Sequence, residues 1–192
     1  MFNKLLIGAL AAFLIVTSIG VTVASAAPAT DPSTLDAQEA AALLFMREEE
    51  KLARDVYNVL YATWGLPVFK NIAVSEQRHM DAIKVLLDRY GLTDPALAPG
   101  KFSDPTLQAL YDKLVAQGKL SVTEALKVGV TIEQVDIKDL QTRIAQTDNL
   151  DIQRVYTNLL NGSNSHLQAF SRNTATTGGQ LGGTRNSRGP RW

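Results

Sequence analysis

Two residues near the middle of the chain, Glu76 and His79, constrain the fold more than any others. They lie three positions apart, inside a run whose apolar residues recur at helical spacing: Ile72, Ile83, Leu86 and Tyr90. On a helix both polar side chains fall on the buried stripe, where an unpaired carboxylate is costly. A Glu-x-x-His pair that faces glutamates on other helices is typical of a carboxylate-bridged dinuclear metal site in a four-helix bundle. We therefore expect other helices to supply further ligands.

The composition favours helices and excludes several kinds of site. Hydrophobic residues make up 45% of the 192 residues, which is ample for one core, and aromatic residues are few. Cysteine is absent. Disulfides, thiolate metal ligation and cysteine nucleophiles are therefore excluded.

The two ends of the chain differ from its body. Lys4 precedes an apolar run over 5–23, and Ala24-Ser25-Ala26 supplies a cleavage signal, so residues 1–26 are expected to be a signal peptide. The protein would then be periplasmic, in the cell envelope or extracellular, or membrane-anchored if the signal is not cleaved. Residues 27–32 are expected to form a linker, and 172–192 are expected to be a disordered basic tail.

The charge balance of the body argues against nucleic-acid binding. Lys4 lies in the leader and four arginines lie in the tail, which leaves 14 basic residues against 19 acidic ones. The sequence of this acidic body shows no basic face with interleaved aromatic residues. We expect no nucleic-acid partner.

The region 33–171 is predicted to be all-α. Helical patterns cover 33–64, 68–90, 121–146 and 148–170, with Ser33 expected to cap the first helix and Asp148 the last. The first two helices are joined by a short turn. The next connection is long, rich in Pro and Gly, and contains a short helix over 105–117. This order predicts an antiparallel four-helix bundle with a long crossover after its second helix.

Each long helix places potential metal ligands among its apolar positions. The first offers a run of three glutamates, which could instead be a solvated face paired with nearby Lys and Arg; helical periodicity points Glu49 toward the core. Carboxylate oxygens and imidazoles suit iron or manganese and also accept zinc. The candidate ligands are Glu49, Glu50, Glu76, His79, Glu133, Asp136 and His166.

Two motifs resemble those of the ferritin-like di-iron proteins, which include rubrerythrins and bacterioferritins. They are Glu50-x-x-Ala53-x-x-x-Tyr57 and Glu76-x-x-His79. The longer strings 47–57, 75–81 and 132–140 resemble an exported ferritin-like family described only as a domain of unknown function. The resemblance spans about 35–170, and it implies the fold without indicating a substrate.

The resemblance also implies a role for each ligand. Glu50 would be a terminal ligand, Glu76 and Glu133 bridging ligands, and His79 and His166 the imidazole ligands. From its position among apolar residues, Tyr57 is expected either to reach a carboxylate through its hydroxyl or simply to pack in the core. The chain departs from the superfamily at Ser163, where an acid is usual three residues before the last histidine. Asp136 would replace that acid; otherwise the site would be mononuclear or empty.

These residues lead to three functional hypotheses. The first is an exported di-iron or iron–manganese oxidoreductase or peroxidase, which reacts with dioxygen or peroxide and takes electrons from an unknown external reductant. The second is a metal-binding protein that sequesters iron without turnover. The third is a metal-free helical module. Iron is the favoured metal for the two sites, with manganese or zinc as alternatives, and a homodimer is compatible with the sequence.

Overall fold

The structure, a computed structural model, describes residues 34–182, and these form five α-helices and no β-strand. The helices are α1 (Ala37–Trp64), α2 (Pro67–Arg89), α3 (Pro105–Gly118), α4 (Val122–Gln146) and α5 (Leu150–Gly182). The all-α prediction is thus confirmed for this part of the chain. Within it, no helix combines the length and apolar character that crossing a bilayer requires. The expected signal peptide 1–26, the linker 27–32 and the tail residues 183–192 lie outside the described residues.

Local capping explains where α1 begins and ends. Asp36, rather than Ser33, caps α1: its carboxylate accepts a hydrogen bond from the Glu39 backbone N–H, and the Glu39 side chain accepts one from the Asp36 N–H. Gly65 ends the helix in the left-handed conformation at φ 67°. Pro67, which needs no N–H partner at the first helical position, then opens α2 after a short turn.

The later helices follow the predicted pattern with one difference in length. Asp104 caps α3, and Ser121 caps α4 by accepting a hydrogen bond from the Glu124 N–H. Helix α5 begins at Leu150, after Asn149, and continues past Phe170 to Gly182, into the segment for which the composition predicted disorder. No proline interrupts this extension, so its backbone hydrogen bonds can continue.

The helices pack so that α1 lies along α2 and α4 lies along α5. Helix α2 also contacts α5, α1 contacts α4, and α3 packs against both α1 and α4. Helix α3 therefore covers one side of the groove between α1 and α4.

A polar layer divides the hydrophobic core into two clusters. One cluster contains the touching rings of Tyr57, Phe69 and Phe170, and the other is built around Met46, Leu87 and similar residues. On each long helix the polar residues of this layer lie between the positions that enter the two clusters. The buried polar residues of this layer are Glu49, Glu50, Glu76, His79, Glu133, Asp136, Ser163 and His166.

The charged run Arg47-Glu48-Glu49-Glu50-Lys51 on α1 is entirely buried, so its interpretation as a solvated face is wrong. The α2–α3 connection covers it. Arg47 pairs with Asp94 at 2.8 Å, and Glu48 accepts hydrogen bonds from the backbone N–H groups of Ser103 and Asp104. Buried charges need such partners, and the connection supplies them.

Lys51 fastens the same connection from inside the protein. Its side chain is 0% exposed, and its ammonium group donates to Asp55 at 2.7 Å and to the carbonyl oxygens of Ala98 and Lys101 at 3.0 and 2.9 Å. It also lies 4.1 Å from the centre of the Phe102 ring. All three donor positions of the ammonium group are used.

We predict that Lys51→Met lowers the free energy of unfolding by about 3 kcal/mol, because a buried carboxylate and two carbonyls lose their donor. Lys84→Met is the matched control, since Lys84 also pairs with an aspartate four residues later but is 44% exposed. The control should change stability by less than about 1 kcal/mol. Urea denaturation measures both; equal losses in the two variants would contradict this description of Lys51.

Candidate metal centre

Four helices contribute side chains to the polar layer. Helix α1 supplies Glu50, α2 supplies Glu76 and His79, α4 supplies Glu133, and α5 supplies His166. Glu76 and His79 lie one helical turn apart, so both point from α2 toward the same region. The structure thus brings together five of the predicted ligands.

The first group of potential ligands comprises Glu50, Glu76 and His79. The Nδ1 atom of His79 lies 2.8 Å from Glu76 Oε2 and 3.1 Å from Glu50 Oε2. One ring nitrogen therefore faces two carboxylate oxygens. All three side chains are buried.

The second group comprises Glu76, Glu133 and His166. His166 Nδ1 lies 2.8 Å from Glu76 Oε1 and 3.5 Å from Glu133 Oε2. Within each group the ligand atoms lie within 4.8 Å of one another. Glu76 belongs to both groups and presents a different oxygen to each, so it is the carboxylate that the two groups share.

These distances suit metal coordination. Ligand atoms bound roughly 2.1 Å from a first-row ion, at right angles to each other, lie roughly 3 Å apart. The separations from each Nδ1 atom to its carboxylate oxygens are close to that value. The imidazole rings lie 5.5 Å apart between centroids and are nearly parallel.

Several atoms of the layer have no hydrogen-bond partner among the described residues. They include Glu50 Oε1, Asp136 Oδ1, and the close pair Glu76 Oε1 and His166 Nδ1, which lacks hydrogen-bond alignment despite its 2.8 Å separation. Buried polar atoms without partners are rare and costly in folded proteins. Metal ions bound between the two groups would satisfy them.

Asp136 lies beside the groups rather than in them. It is buried, and the Ser163 hydroxyl donates to its Oδ2 atom at 2.5 Å. Asp136 on α4 thus approaches Ser163 on α5, the position at which the resemblance implied an acid. Its unpartnered Oδ1 atom remains available for a cation.

Tyr57 contacts the second group through its hydroxyl. The side chain is fully buried, and the hydroxyl donates to Glu133 Oε1 at 2.7 Å. Burial, and then the neighbouring carboxylates, raise the pKa of Tyr57 further above its ordinary value, so the phenol keeps its proton. Because Tyr57 engages one Glu133 oxygen, Glu133 presents the other oxygen to His166.

Glu49 is buried but belongs to neither group. Burial, followed by the negative charges of Asp136 and Asp139, raises its pKa well above the ordinary value. The structure therefore brings Glu50 to the first group, whereas periodicity alone had favoured Glu49. Neighbouring residues on a helix point about 100° apart, so Glu50 faces His79 of α2 while Glu49 lies near Asp136 and Asp139 of α4.

Gly162 is a functional position that sequence reasoning missed. A Cβ atom at this position of α5 would lie 2.6 Å from His79 Nε2 and 2.8 Å from His79 Cε1. Because Gly162 has no side chain, the His79 ring can pack directly against α5. Its signal in the sequence is a glycine inside a helix, where glycine is destabilising by about 1 kcal/mol relative to alanine and so needs a packing reason.

The imidazoles and Glu76 stabilise one another's charged forms. Burial would lower the pKa of His79, but Glu50 and Glu76 raise it to about 11. Burial likewise opposes the charge of His166, whose pKa is raised to about 9 by Glu133 and Glu76. Burial would raise the pKa of Glu76, but His166 and His79 lower it to about 2.

The pKa values of the other acids of the layer are raised above their ordinary values. Burial, and then the charge of Asp136, raise the pKa of Glu50 well above its ordinary value. Burial raises the pKa of Glu133 and of Asp136 to about 7. The metal-free layer therefore carries protons where cations would otherwise neutralise its acids.

Comparison with known proteins identifies relatives of the chain. The profile of the family described as "Uncharacterized protein domain (DUF2202)" matches residues 39–189. Uncharacterized protein MJ0754 of Methanocaldococcus jannaschii is 55% identical over 137 residues, which are 70% of this chain and 74% of the relative. The crystal structure of hypothetical protein MJ0754 from Methanococcus jannaschii DSM 2661 is similar with a TM-score of 0.75. The two share 50% identity, and the match covers 80% of this chain and 87% of that one.

We predict that the metal-free protein loses stability as the pH rises from about 5 to about 8. In this range the folded protein holds more protons than the unfolded chain, because the pKa values of Glu133, Asp136 and both histidines are raised on folding. Glu76 does not oppose this trend, since its lowered pKa adds stability that is lost only as the pH falls from its ordinary 4.5 toward about 2.

The measurement is the midpoint of thermal unfolding in the presence of a chelator. Glu133→Gln, which removes one of the titrating groups, should show a smaller decrease over the same pH range. A midpoint that rises with pH in the unmodified protein would contradict the predicted protonation of the layer.

Proposed function

This chain belongs to the DUF2202 family, which is described as an uncharacterized protein domain, and we propose from its own residues that it holds a carboxylate-bridged dinuclear metal centre. Iron is the favoured metal, and the centre reacts with peroxide or dioxygen. The bundle of α1, α2, α4 and α5 is of the ferritin-like type, with α3 in its long crossover.

One observation carries this proposal: two groups of buried ligand atoms share Glu76. Each group has one imidazole nitrogen and one further glutamate, and Glu76 presents a separate oxygen to each. A carboxylate in this position can bridge two cations. The arrangement fits the Glu-x-x-His pattern of carboxylate-bridged sites in helical bundles.

The ligand atoms favour metals of intermediate to hard character. Glu50, Glu76 and Glu133 offer oxygens, and His79 and His166 offer nitrogens, a set that suits iron, manganese or zinc. Asp136 adds an oxygen next to the groups, which supports a second well-held ion despite Ser163. A dinuclear rather than a mononuclear centre is therefore proposed.

When bound, two ferrous ions would supply two electrons, which together with two protons reduce hydrogen peroxide to two water molecules. The chain's own residues prepare the site for this reaction. The apolar clusters on either side exclude bulk water, and Tyr57 holds Glu133 in place through its hydroxyl. An external reductant would return the electrons.

We predict that the purified protein binds two ferrous ions and that Glu76→Ala binds none, because both groups lose their shared carboxylate. Glu50→Ala should keep about one ion, since only the first group is affected. Glu48→Ala is the matched control: Glu48 is a buried glutamate on the same helix, but its oxygens bind the backbone of the α2–α3 connection. It should keep both ions.

Elemental analysis after anaerobic loading measures the stoichiometry, and circular dichroism checks that each variant is folded. Rapid mixing of the ferrous protein with hydrogen peroxide then follows oxidation in the near ultraviolet. Two bound ions with fast oxidation support the proposal. Two ions without oxidation would favour sequestration, and a folded protein that binds none would favour a metal-free module.

A further inference from the structure

A small cavity reaches the carboxylates from the side covered by α3. At its inner end it is lined by the acids of the layer, among them Glu50, Glu76 and Glu133. Its other walls are mainly apolar and come from α1, α3 and α4. The cavity thus extends from the candidate metal centre to outer walls that carry no charged side chain.

The exposure of the wall residues indicates where the cavity approaches solvent. Leu114 on α3 is buried, Leu110 one turn earlier is half-buried, and Val135 on α4 is 42% exposed. Leu110 and Leu114 lie on one face of α3, as their spacing of four residues requires. The opening therefore lies between α3 and α4, next to Leu110 and Val135.

The cavity is small. Its volume is about 30 Å³, enough for roughly two molecules the size of water. Two grooves of about 510 and 470 Å³ also occur on the described part of the protein, but neither is lined by a residue of the two ligand groups. Its outer walls can therefore select among entering molecules by size rather than by polar contacts.

The wall on α3 is held in place by charged groups of α1. Glu48 accepts hydrogen bonds from the N–H groups of Ser103 and Asp104, immediately before α3 begins, and Lys51 binds carbonyl oxygens in the preceding connection. Because these side chains are buried and paired, retreat of α3 would expose or unpair charges. These contacts therefore fix the position of α3 and, with it, the width of the passage.

We propose that Leu110, Leu114 and Val135 form a size filter that admits hydrogen peroxide and dioxygen to the centre and excludes alkyl hydroperoxides. The filter rests on the proposed function for its substrates, but its geometry is a property of the protein alone. An alkyl hydroperoxide carries the same O–O bond with a hydrocarbon group attached. The passage therefore separates hydrogen peroxide from an alkyl hydroperoxide by their size alone.

The first test compares oxidation of the ferrous protein by hydrogen peroxide and by tert-butyl hydroperoxide. The unmodified protein should react much faster with hydrogen peroxide, and Leu110→Ala should lower this preference about tenfold, the usual effect of removing a few carbons from a pocket. Leu107→Ala is the control for loosening α3, because Leu107 is buried on the same helix but does not line the cavity. It should keep the preference. An equal preference in Leu110→Ala and the unmodified protein would overturn the filter.

The second test needs no metal. Crystals of the metal-free protein under xenon pressure should show xenon beside Leu110 and Leu114, in the apolar part of this cavity, because xenon occupies apolar spaces. Val135→Trp should remove the xenon, whereas Val85→Trp, at an exposed valine on α2 away from the cavity, should keep it. Xenon absent from the unmodified protein, or retained in Val135→Trp, would overturn the filter.

The two tests separate the filter from the proposed function. If the protein binds no iron, the proposed function fails, and the xenon result alone decides whether the passage exists. If iron binds and xenon occupies the cavity, but hydrogen peroxide and tert-butyl hydroperoxide react equally fast, the proposed function stands and the filter is wrong.

Discussion

The structure depends on the burial of acidic groups between two apolar clusters. Five carboxylates and two imidazoles lie in one layer, and each long helix contributes at least one of them. Without cations, mutual pairing and raised pKa values make this burial tolerable. The proposed metal ions would replace the protons and satisfy oxygens that have no partner among the described residues. In the proposed function the layer holds cations, and its buried acids are a cost to the metal-free fold.

Helix α1 connects this layer to the rest of the molecule. Within one charged run, Glu50 faces His79, while Glu48 and Lys51 hold the connection that leads to α3. Helix α3 in turn supplies the leucines that line the cavity above the carboxylates. Glu50, a proposed ligand, and the residues that hold the connection before α3 are therefore neighbours in the sequence.

The sequence predicted those features that depend on local patterns. Helix positions follow from apolar spacing and caps, and the histidines with their acids were identified because they interrupt apolar stripes. Periodicity did not predict that Glu50 rather than Glu49 joins the first group, because the choice depends on how α1 packs against α2 and α4. The place of Gly162 against His79 was missed for a similar reason, since it is a contact between α2 and α5.

In the proposed centre the two ligand groups hold two ions with Glu76 between them. Anomalous scattering from a crystal soaked anaerobically in ferrous or manganous salt can locate these ions. One peak is expected next to His79 and Glu50 and a second next to His166 and Glu133, with Glu76 in contact with both. A well-folded crystal with no anomalous peak in the buried layer, or with ions bound only at the surface, would contradict it.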